Sequence, residues 1–404
     1  MAKVYPFHAW LPSPSEAAAV SSLPYDVMNR QEARRMAEGN PLSFLRVTCA
    51  DLEFGDEVST YDPAVYVRAR ENWQRLGADG VLHRDGQPAF YLYSMVMDGR
   101  RQTGIVACAS VEDYRCGVVR RHELTRQVKE DDRTSHILST GAQTGPVFLA
   151  YRDEPQLAAV MEQTMAQETP LFDFTAEGGI RHTGWRIPAA AAGTVQDVFA
   201  GVPVLYIADG HHRAASAARV AGKLNNAGES GRFLAVIFPQ SHLRILAYNR
   251  VVRSLNGMTP AAFIEKLRGI GEVLPDAPAV PAAAGEVSFY LEGKWRTLRF
   301  ITRHPEDPIA DLDVSLLQEQ VLSPLLDIAD PRTSKNIDFV GGIRGTAELE
   351  QRVDGGGCAA AFSMYPTSLE QLMRVADANG IMPPKSTWFE PKLRDGLFTH
   401  SLEL

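Results

Sequence analysis

The sequence predicts an α/β protein in which a mixed β-sheet is covered by helices and a second α/β domain follows. Residues 202–220 show the pattern of a buried strand, a tight turn and a helix, and strand-like and helical segments also alternate elsewhere. A chain of 404 residues is too long for one ordinary core. Because the sequence changes character after residue 255 and a Pro/Ala-rich stretch covers 276–285, we predict an N-terminal α/β region over 1–255 and a C-terminal α/β domain over 256–404.

The composition is that of a soluble globular protein, with 45% hydrophobic and 22% charged residues. The net charge of −8 and the lack of a long basic run argue against nucleic acid as a main partner. No apolar stretch reaches the ~20 residues that span a bilayer, and the N-terminus lacks the apolar core of a signal peptide. We therefore expect no membrane partner and a cytoplasmic location.

The cysteine spacings fit neither a zinc site nor a dithiol motif, and all four are expected to be packing residues: Cys49, Cys108, Cys116 and Cys358.

The strand–turn–helix segment carries the first functional prediction. Residues 202–207 are apolar, Asp209-Gly210 is a turn dipeptide, and an alanine-rich helix follows. His211, His212 and Arg213 then lie at a helix N-terminus, where free amides and the helix dipole favour an anion, and Arg213 can bind a phosphate or carboxylate with two hydrogen bonds. Two interpretations remain: a phosphate cradle, which we favour, or a simple N-cap by Asp209 with surface histidines.

The N-terminal part begins with an extended arm and a short helix. Asn29 and Glu32 predict a capping box for a helix over 30–38 that ends at Gly39. Residues 40–47 are predicted to start as a turn and become a strand, in which Arg46 is either an edge-strand arginine or an anion ligand. A hairpin is predicted to turn at Asp98-Gly99. Further helices are predicted over 62–76, 153–167, 193–200, 259–267, 312–326 and 368–380, and strands over 89–97, 102–109, 145–151, 233–238, 243–248, 286–291 and 294–300.

Two polar segments complete the candidate site. Residues 121–133 are dense in charge and contain a His122-Glu123 pair; the segment is either a solvated helix N-terminus or a catalytic carboxylate surrounded by cations. Residues 382–392 combine lysines and aromatic residues with prolines, which restrict the backbone. This segment is either a closing tail that packs on the body or, as we prefer, a segment that completes a pocket.

Five motifs, in this order, together resemble the DUF1015 family. They extend over nearly the whole chain: Leu23-Pro24-Tyr25-Asp26-Val27, residues 40–47, His122-Glu123 with Thr125, residues 209–213, and residues 382–392. That family is similar to the ParB/sulfiredoxin-like free serine kinases, which phosphorylate L-serine on its hydroxyl. The resemblance implies a ParB/sulfiredoxin-like phosphate-binding core over about 104–255, with an N-terminal elaboration and a C-terminal domain that closes the site.

The turn distinguishes this chain from the sulfiredoxins and ParB proteins of the superfamily that it resembles. Sulfiredoxins carry a cysteine nucleophile where this chain has His211, so thiol chemistry is unsupported. ParB proteins carry a Gly-Glu-Arg-Arg type turn and a DNA-binding module, for which this sequence offers no candidate. In one respect this chain departs from the family that it resembles, because Asn249-Arg250 stands where a His-Arg pair is usual.

The resemblance implies a role for each candidate residue. Glu123 is the base for the serine hydroxyl. Residues Gly210, His211, His212 and Arg213 bind phosphate, and His212 and Arg213 stabilise its charge. Asp209 either binds a bridging Mg²⁺ or orients the serine amine. The remaining substrate-binding candidates are Arg46, His122, Thr125, Lys385, Trp388 and Lys392.

The phosphoryl donor is ADP, ATP or pyrophosphate, and no Walker-type loop is present. Two other functions stay open: a phosphate- or nucleotide-binding switch without catalysis, and a phosphohydrolase in which water replaces serine. The sequence leaves monomer and homodimer open.

Overall fold

The computed structural model describes residues 1–403. The α-helices are α1 (Ala17–Val20), α2 (Arg30–Ala37), α3 (Leu45–Thr48), α4 (Pro63–Ala78), α5 (Val111–Arg115), α6 (Gln127–Thr140), α7 (Pro155–Gln167), α8 (Ala189–Gly201), α9 (His211–Lys223), α10 (Pro260–Arg268), α11 (Asp313–Leu317), α12 (Ser323–Leu326), α13 (Ala347–Asp354) and α14 (Leu369–Asp377). A π-helical segment, Gln318–Leu322, joins α11 to α12. None of the helices within residues 1–403 is both long and apolar enough to span a bilayer.

The strands are β1 (Val4–Tyr5), β2 (Ala9–Pro12), β3 (Leu82–Arg84), β4 (Tyr91–Met97), β5 (Arg100–Ser110), β6 (Val119–Arg120), β7 (Ala142–Gln143), β8 (Val147–Tyr151), β9 (Phe172–Thr175), β10 (Arg181–Arg186), β11 (Leu205–Asp209), β12 (Arg232–Pro239), β13 (Ile245–Leu246), β14 (Tyr248–Val252), β15 (Gly271–Pro275), β16 (Glu286–Leu291), β17 (Lys294–Phe300), β18 (Ile337–Gly341), β19 (Ala360–Met364), β20 (Trp388–Phe389) and β21 (Thr399–Ser401).

The contacts between residues divide the chain into two compact units. The first contains residues 1–243 together with the C-terminal segment from Pro391, and the second contains Arg244–Glu390. This division differs from the predicted 1–255 and 256–404. The sequence could not indicate that the last segment returns to the first unit, because that return depends on strand pairing between residues distant in the chain.

A nine-stranded mixed sheet forms the centre of the first unit. Its strands run in the order β6-β11-β8-β12-β5-β4-β10-β9, and β1 pairs with β5. Strand β11 is parallel to β6 and antiparallel to β8, whereas β12 is parallel to β8. The predicted α/β architecture with a mixed sheet is therefore confirmed.

The segment from β11 to α9 folds as the sequence predicts. Ile207 on β11 is fully buried, and Ala214, Ala217 and Ala221 of α9 are buried in the same core. Small side chains let α9 pack closely on the sheet, and apolar burial of this kind contributes about 25 cal/mol per Å². The first turn of α9 is thereby fixed at the end of β11.

The C-terminal segment is held in the first unit by a four-stranded sheet of order β3-β2-β21-β7. His400 on β21 pairs with Ala9 on β2 and with Gln143 on β7. The amide of Asp395 donates to the carbonyl of Ser22, and the amide of Ser22 donates to the carbonyl of Asp395. These backbone bonds fix the residues between Pro391 and β21.

The second unit contains a six-stranded sheet of order β15-β17-β16-β19-β14-β18 and a two-stranded ladder of β13 with β20. All neighbouring strands in both sheets are antiparallel. Glu292 and Gly293 adopt positive φ in the turn of the β16–β17 hairpin, as their turn-forming character predicts.

Local predictions were right where a cap or a turn defined them. The capping box of Asn29 and Glu32 is present in α2, and Asp98 and Gly99 take positive φ between β4 and β5. The predicted strand over 40–47 is wrong, because residues 45–48 form α3. A short apolar run with both faces buried cannot be assigned to strand or helix by its pattern alone.

Candidate functional site

The candidate site lies at the end of β11, where the chain passes through a β-bulge into α9. The register of β11 against β8 shifts between Ile207 and Asp209, and bulges re-aim nearby side chains. Gly210 has a φ of +92°, which glycine adopts without a steric penalty. The first intrahelical bond runs from the amide of Ala214 to the carbonyl of Gly210, at 3.0 Å. The amides of residues 211–213 therefore lie at the open, positive end of the helix, where an oxyanion can bind.

Arg213 lies behind this turn and is only 8% exposed. Its Nη1 donates to the carbonyl of Pro146, and its Nη2 lies 3.9 Å from Oδ2 of Asp26 and 3.9 Å from Oδ1 of Asp209. The guanidinium thus faces two carboxylates of the protein. The expected two-pronged contact between Arg213 and a phosphate stays a prediction, and what the geometry offers is a buried positive charge next to the helix end.

Asp209 and Lys392 form an ion pair at the same turn. Nζ of Lys392 donates to Oδ2 of Asp209 at 3.0 Å, and the amide of Gly210 donates to Oδ1 at 2.7 Å. Burial alone would raise the pKa of Asp209, but Lys392 and Arg213 hold it well below its usual range. The structure therefore brings the predicted residue Lys392 to the Asp-Gly-His-His-Arg turn, and Asp209 is ionised at neutral pH.

His122, Glu123 and His211 form a cluster beside this turn. The rings of His122 and His211 meet edge to face, with centroids 4.5 Å apart. The amide of His122 donates to Nε2 of His211 at 3.5 Å, so the proton of a neutral His211 ring belongs on Nδ1. That nitrogen lies 3.9 Å from Oε2 of Glu123. The candidate base and the candidate phosphate cradle are thus neighbours.

Both imidazoles in this cluster are neutral at pH 7. Burial lowers the pKa of His122 to about 4, although Asp209 and the carbonyl of Ile207 oppose the shift. Burial and the neighbouring His122 ring lower the pKa of His211 well below its ordinary value. Neither ring nitrogen of His122 makes a hydrogen bond of ordinary geometry within residues 1–403.

Two sets of side chains are candidate ligands for a metal ion. His122, Glu123 and His211 offer ligand atoms within 4.8 Å of one another, but the amide of His122 occupies the lone pair of His211 Nε2. Mg²⁺ prefers oxygen ligands, and the carboxylates of Asp209 and Asp26 both face Arg213 Nη2. Because Nη2 of Arg213 lies 3.9 Å from an oxygen of each carboxylate, the acidic pair already faces a cation, and the binding of Mg²⁺ by Asp209 stays a prediction.

His212, in the first turn of α9, contacts the loop that precedes α6, and Thr125 belongs to that loop. The amide of Arg126 donates to Nε2 of His212 at 3.0 Å, and burial lowers the pKa of His212. His212 therefore presents a neutral Nδ1–H, not a cation. The hydroxyl of Thr125 donates to Glu130, whose other carboxylate oxygen lies 3.3 Å from Arg219 on α9. These bonds hold the loop against the first half of α9.

Arg46 is not brought to the turn. Its Nη1 bonds to Oε1 of Glu53 at 2.9 Å, and its other nitrogens donate to the carbonyls of Asn40 and Ala37 at 3.2 and 3.1 Å. These contacts join α3 to the end of α2 and the residues after α3. Within the described residues, the donors of Arg46 are thus used to hold the N-terminal helices together, as expected of a structural arginine.

Lys385 and Trp388 lie in the second unit, so their predicted role in this site stays a prediction. The ammonium of Lys385 lies 5.3 Å from the ring centroid of Tyr248, and Trp388 meets the same ring edge to face at 5.0 Å. Asn249, which departs from the family pattern, accepts a hydrogen bond from the amide of Met364 at 3.0 Å. It therefore ties β14 to β19.

Sequence reasoning missed the residues behind Arg213. A cavity of about 30 Å³, with room for a water or two, is lined by Arg213, Arg133, Tyr25 and Asp395 among others. Arg133 stacks on Tyr25 at 4.1 Å. Nε of Arg213 and Oδ1 of Asp395 have no hydrogen-bond partner within residues 1–403, and burial raises the pKa of Asp395 to about 7. Asp26 lies in the 23–27 motif and could have been singled out there, whereas Asp395 carried no such signal.

The arrangement combines three capabilities in one place. The open end of α9 offers free amides to an oxyanion, Asp209 and Asp26 offer carboxylate oxygens, and Glu123 offers a carboxylate whose side chain is 49% exposed. A half-exposed carboxylate can accept a proton from a small hydroxyl compound. These are the components that phosphoryl transfer requires.

Comparisons with known proteins relate the chain to one family. The family model described as "Protein of unknown function (DUF1015)" matches residues 4–315. A solved structure of a free serine kinase in complex with AMP is similar at 15% identity, with a TM-score of 0.37 over 70% of this chain and 86% of that one. A conserved hypothetical protein from Pyrococcus furiosus is similar at 17% identity, with a TM-score of 0.37 over 72% and 93%. No curated protein matches the chain.

Proposed function

We propose that this chain, which belongs to the DUF1015 family, is a small-molecule kinase that transfers a phosphoryl group to the hydroxyl of free L-serine, giving O-phosphoserine. The observation that carries the proposal is the 3.9 Å approach of Glu123 to His211. It supports a site in which the candidate base lies beside the open end of α9. The sequence resemblance to the free serine kinases supplies the substrate, and the geometry supports the reaction type.

In the proposed reaction, the transferred phosphoryl group binds at the amides of residues 211–213. The serine hydroxyl attacks phosphorus, the bond between phosphorus and the leaving oxygen of the donor breaks, and Glu123 accepts the hydroxyl proton. Nδ1–H of His212 is a neutral donor to an equatorial oxygen, and Arg213 adds positive charge from behind the turn. Charge stabilisation of this kind needs donors fixed in advance, which the burial of Arg213 and the hydrogen bond from the amide of Arg126 to His212 supply.

Asp209 and Asp26 would hold Mg²⁺, and Lys392 fixes the orientation of the Asp209 carboxylate. When bound, Mg²⁺ supplies charge neutralisation at the phosphate oxygens. The proposed donor is ADP, ATP or pyrophosphate. All three present a phosphate group to the helix end, so the assay must compare them.

The test is phosphorus NMR of the purified protein with Mg²⁺, L-serine and each donor in turn. The expected result is a phosphoserine resonance with at least one donor, which depends on serine and falls strongly in Glu123→Gln. Glu265→Gln is the matched control, because Glu265 is an exposed glutamate, 74% accessible, on α10. It should leave turnover unchanged.

Each alternative function has its own outcome in this assay. Release of inorganic phosphate at the same rate with and without serine would identify a phosphohydrolase. Saturable donor binding without any new phosphorus resonance would identify a binding switch. Either result would overturn the serine-kinase proposal.

A further inference from the structure

Arg250, in the second unit, is a buried cation that pairs with no acidic side chain within residues 1–403. It lies on β14, between β19 and the edge strand β18, and is 3% exposed. The other strongly buried arginines face carboxylates: Arg133 pairs with Asp132 at 3.0 Å, and Arg213 faces Asp26 and Asp209. Within residues 1–403, the hydrogen bonds of Arg250 go to backbone carbonyls only. A buried charge is normally paired, because removing it from water is costly.

The guanidinium of Arg250 keeps unused donors. Nη1 donates to the carbonyl of Tyr248, and Nη2 donates to the carbonyl of Lys385 at 3.0 Å. A guanidinium has five N–H groups in a planar fork, so three donors remain. Burial lowers the pKa of Arg250 to about 10, with only Tyr248 opposing the shift, and the group is still cationic at neutral pH.

A second cation lies on the adjacent aromatic ring. Arg250 packs 5.5 Å from the centroid of Phe339, the ammonium of Lys385 lies 5.3 Å from that of Tyr248, and these two rings are 6.0 Å apart. Two cations on neighbouring rings repel each other unless an anion lies with them. Aromatic walls exclude water and so strengthen any ion pair formed between them.

The segment that carries Lys385 is held in place. Lys385 has a φ of +59°, a left-handed conformation that costs a non-glycine residue about 1 kcal/mol or more. The hydroxyl of Ser386 donates to the carbonyl of Pro383 at 2.6 Å, and Thr367 donates to the carbonyl of Ser386 at 3.0 Å. Lys385 itself is exposed, so the cluster is open to solvent on its side.

We propose that the second unit carries an oxyanion-binding site of its own, in which Arg250 and Lys385 bind a carboxylate or phosphate group between aromatic rings. The inference does not depend on the kinase proposal, because all of these residues belong to the second unit. The ligand chemistry is a small oxyanion. A carboxylate, as in an amino acid, and an inorganic phosphate are the two sources to be distinguished.

The test measures anion binding to the full chain by calorimetry and by thermal unfolding, with acetate, L-serine, inorganic phosphate and pyrophosphate compared at equal ionic strength. We expect at least one oxyanion to bind and to raise the unfolding temperature. Arg250→Met should weaken that binding on the order of 30-fold or more, as expected for the loss of one side of a buried charge pair. Lys385→Met should weaken it measurably but less, because Lys385 is exposed. Arg253→Met, at an exposed arginine just beyond β14, is the matched control and should bind like wild type.

The outcomes separate this site from the turn at α9. Carboxylate binding that is lost in both variants identifies an amino-acid site, and phosphate binding lost in both identifies a phosphate site. If every oxyanion binds Arg250→Met and Lys385→Met as tightly as wild type, the anions bind elsewhere and the proposal is wrong. If Arg250→Met fails to fold, Lys385→Met decides alone, because its side chain is exposed and its loss leaves the buried core intact.

Discussion

Replacing Lys392 by methionine tests the ion pair that fixes Asp209. The change removes the ammonium and keeps an unbranched side chain of similar length. The pair has an N–O distance of 3.0 Å, and the side chains of Lys392 and Asp209 are 13% and 26% exposed. A charge-assisted hydrogen bond contributes about 1.5–3 kcal/mol, and partial exposure favours the lower part of that range. We expect Lys392→Met to lower the free energy of unfolding of the first unit by about 1–2 kcal/mol at pH 7.

The pH dependence of this loss has a definite sign. The pKa of Asp209 is held below its usual range in the folded state by Lys392 and Arg213, against the effect of burial. A carboxyl group with a depressed pKa stabilises the fold above its unfolded pKa of about 3.9, and this stabilisation is lost as the pH falls through the folded pKa. The difference between wild type and Lys392→Met should therefore be constant from pH 5 to 8 and shrink below pH 4.

The assay is urea unfolding at a series of pH values, followed by tryptophan fluorescence and far-UV circular dichroism so that the two units can be distinguished. Lys294→Met, at an exposed lysine on β17, is the control and should change stability by less than about 0.5 kcal/mol. A difference between wild type and Lys392→Met that is absent at pH 7, or that grows as the pH falls, would refute the reasoning.

Three further changes test other parts of the site. Glu123→Gln should lower the rate of phosphoserine formation by about 10²–10⁴ and leave donor affinity nearly unchanged, as measured by a steady-state assay and by direct binding. If the variant turns over at the wild-type rate, another residue is the base. Relative to wild type, the free energy of unfolding of Asp395→Asn should be higher at pH 8 than at pH 5. Burial raises the pKa of Asp395 to about 7, and a raised pKa makes the wild type lose stability as the pH rises from about 4 to 7. The expected change in that difference is on the order of a few kcal/mol in urea unfolding, and a pH-independent difference would contradict it. Gly210→Ala should cost about 1–2 kcal/mol of stability and weaken donor binding, because the φ of +92° disfavours a side chain and the new Cβ would lie 3.0 Å from Nε of Arg213; unchanged stability and affinity would show that the turn adjusts freely.

The parts of the fold that sequence predicted correctly are those defined by local chemistry. The capping box at Asn29, the positive-φ turn at Asp98-Gly99 and the strand–turn–helix at Gly210 each depend on residues a few positions apart. The prediction for residues 40–47 was wrong because the apolar run Phe44, Leu45 and Val47 is buried and too short for its pattern to separate helix from strand. Strands β9 and β10 were missed because Gly184 lies in β10 and the segment carries few β-branched residues.

In the candidate site, too, only the local chemistry could be predicted from the sequence. The residue types in the turn predicted an oxyanion site, but the neutral state of His122 and His211 depends on burial, which the sequence does not give. The predicted contact of Arg213 with a phosphate did not include its carboxylate neighbour Asp26, because Asp26 is 187 positions away along the chain and its approach depends on tertiary packing. The charge and type of each site residue could be predicted from the sequence, whereas the side chains that pair with it could not.

The pairing of Lys392 with Asp209 has a consequence for the order in which the protein is made. A ribosome synthesises the residues after Pro391 only when the whole of the second unit has already been synthesised, so the first unit waits for its own last strand, β21, and for Lys392. Until then the nascent first unit exposes β2 and β7 without the strand that joins them, and unpaired edges of this kind favour association with other chains. A polypeptide cut between the two units would lack this segment, and a synthetic peptide spanning 388–403 added in trans should restore the missing strand.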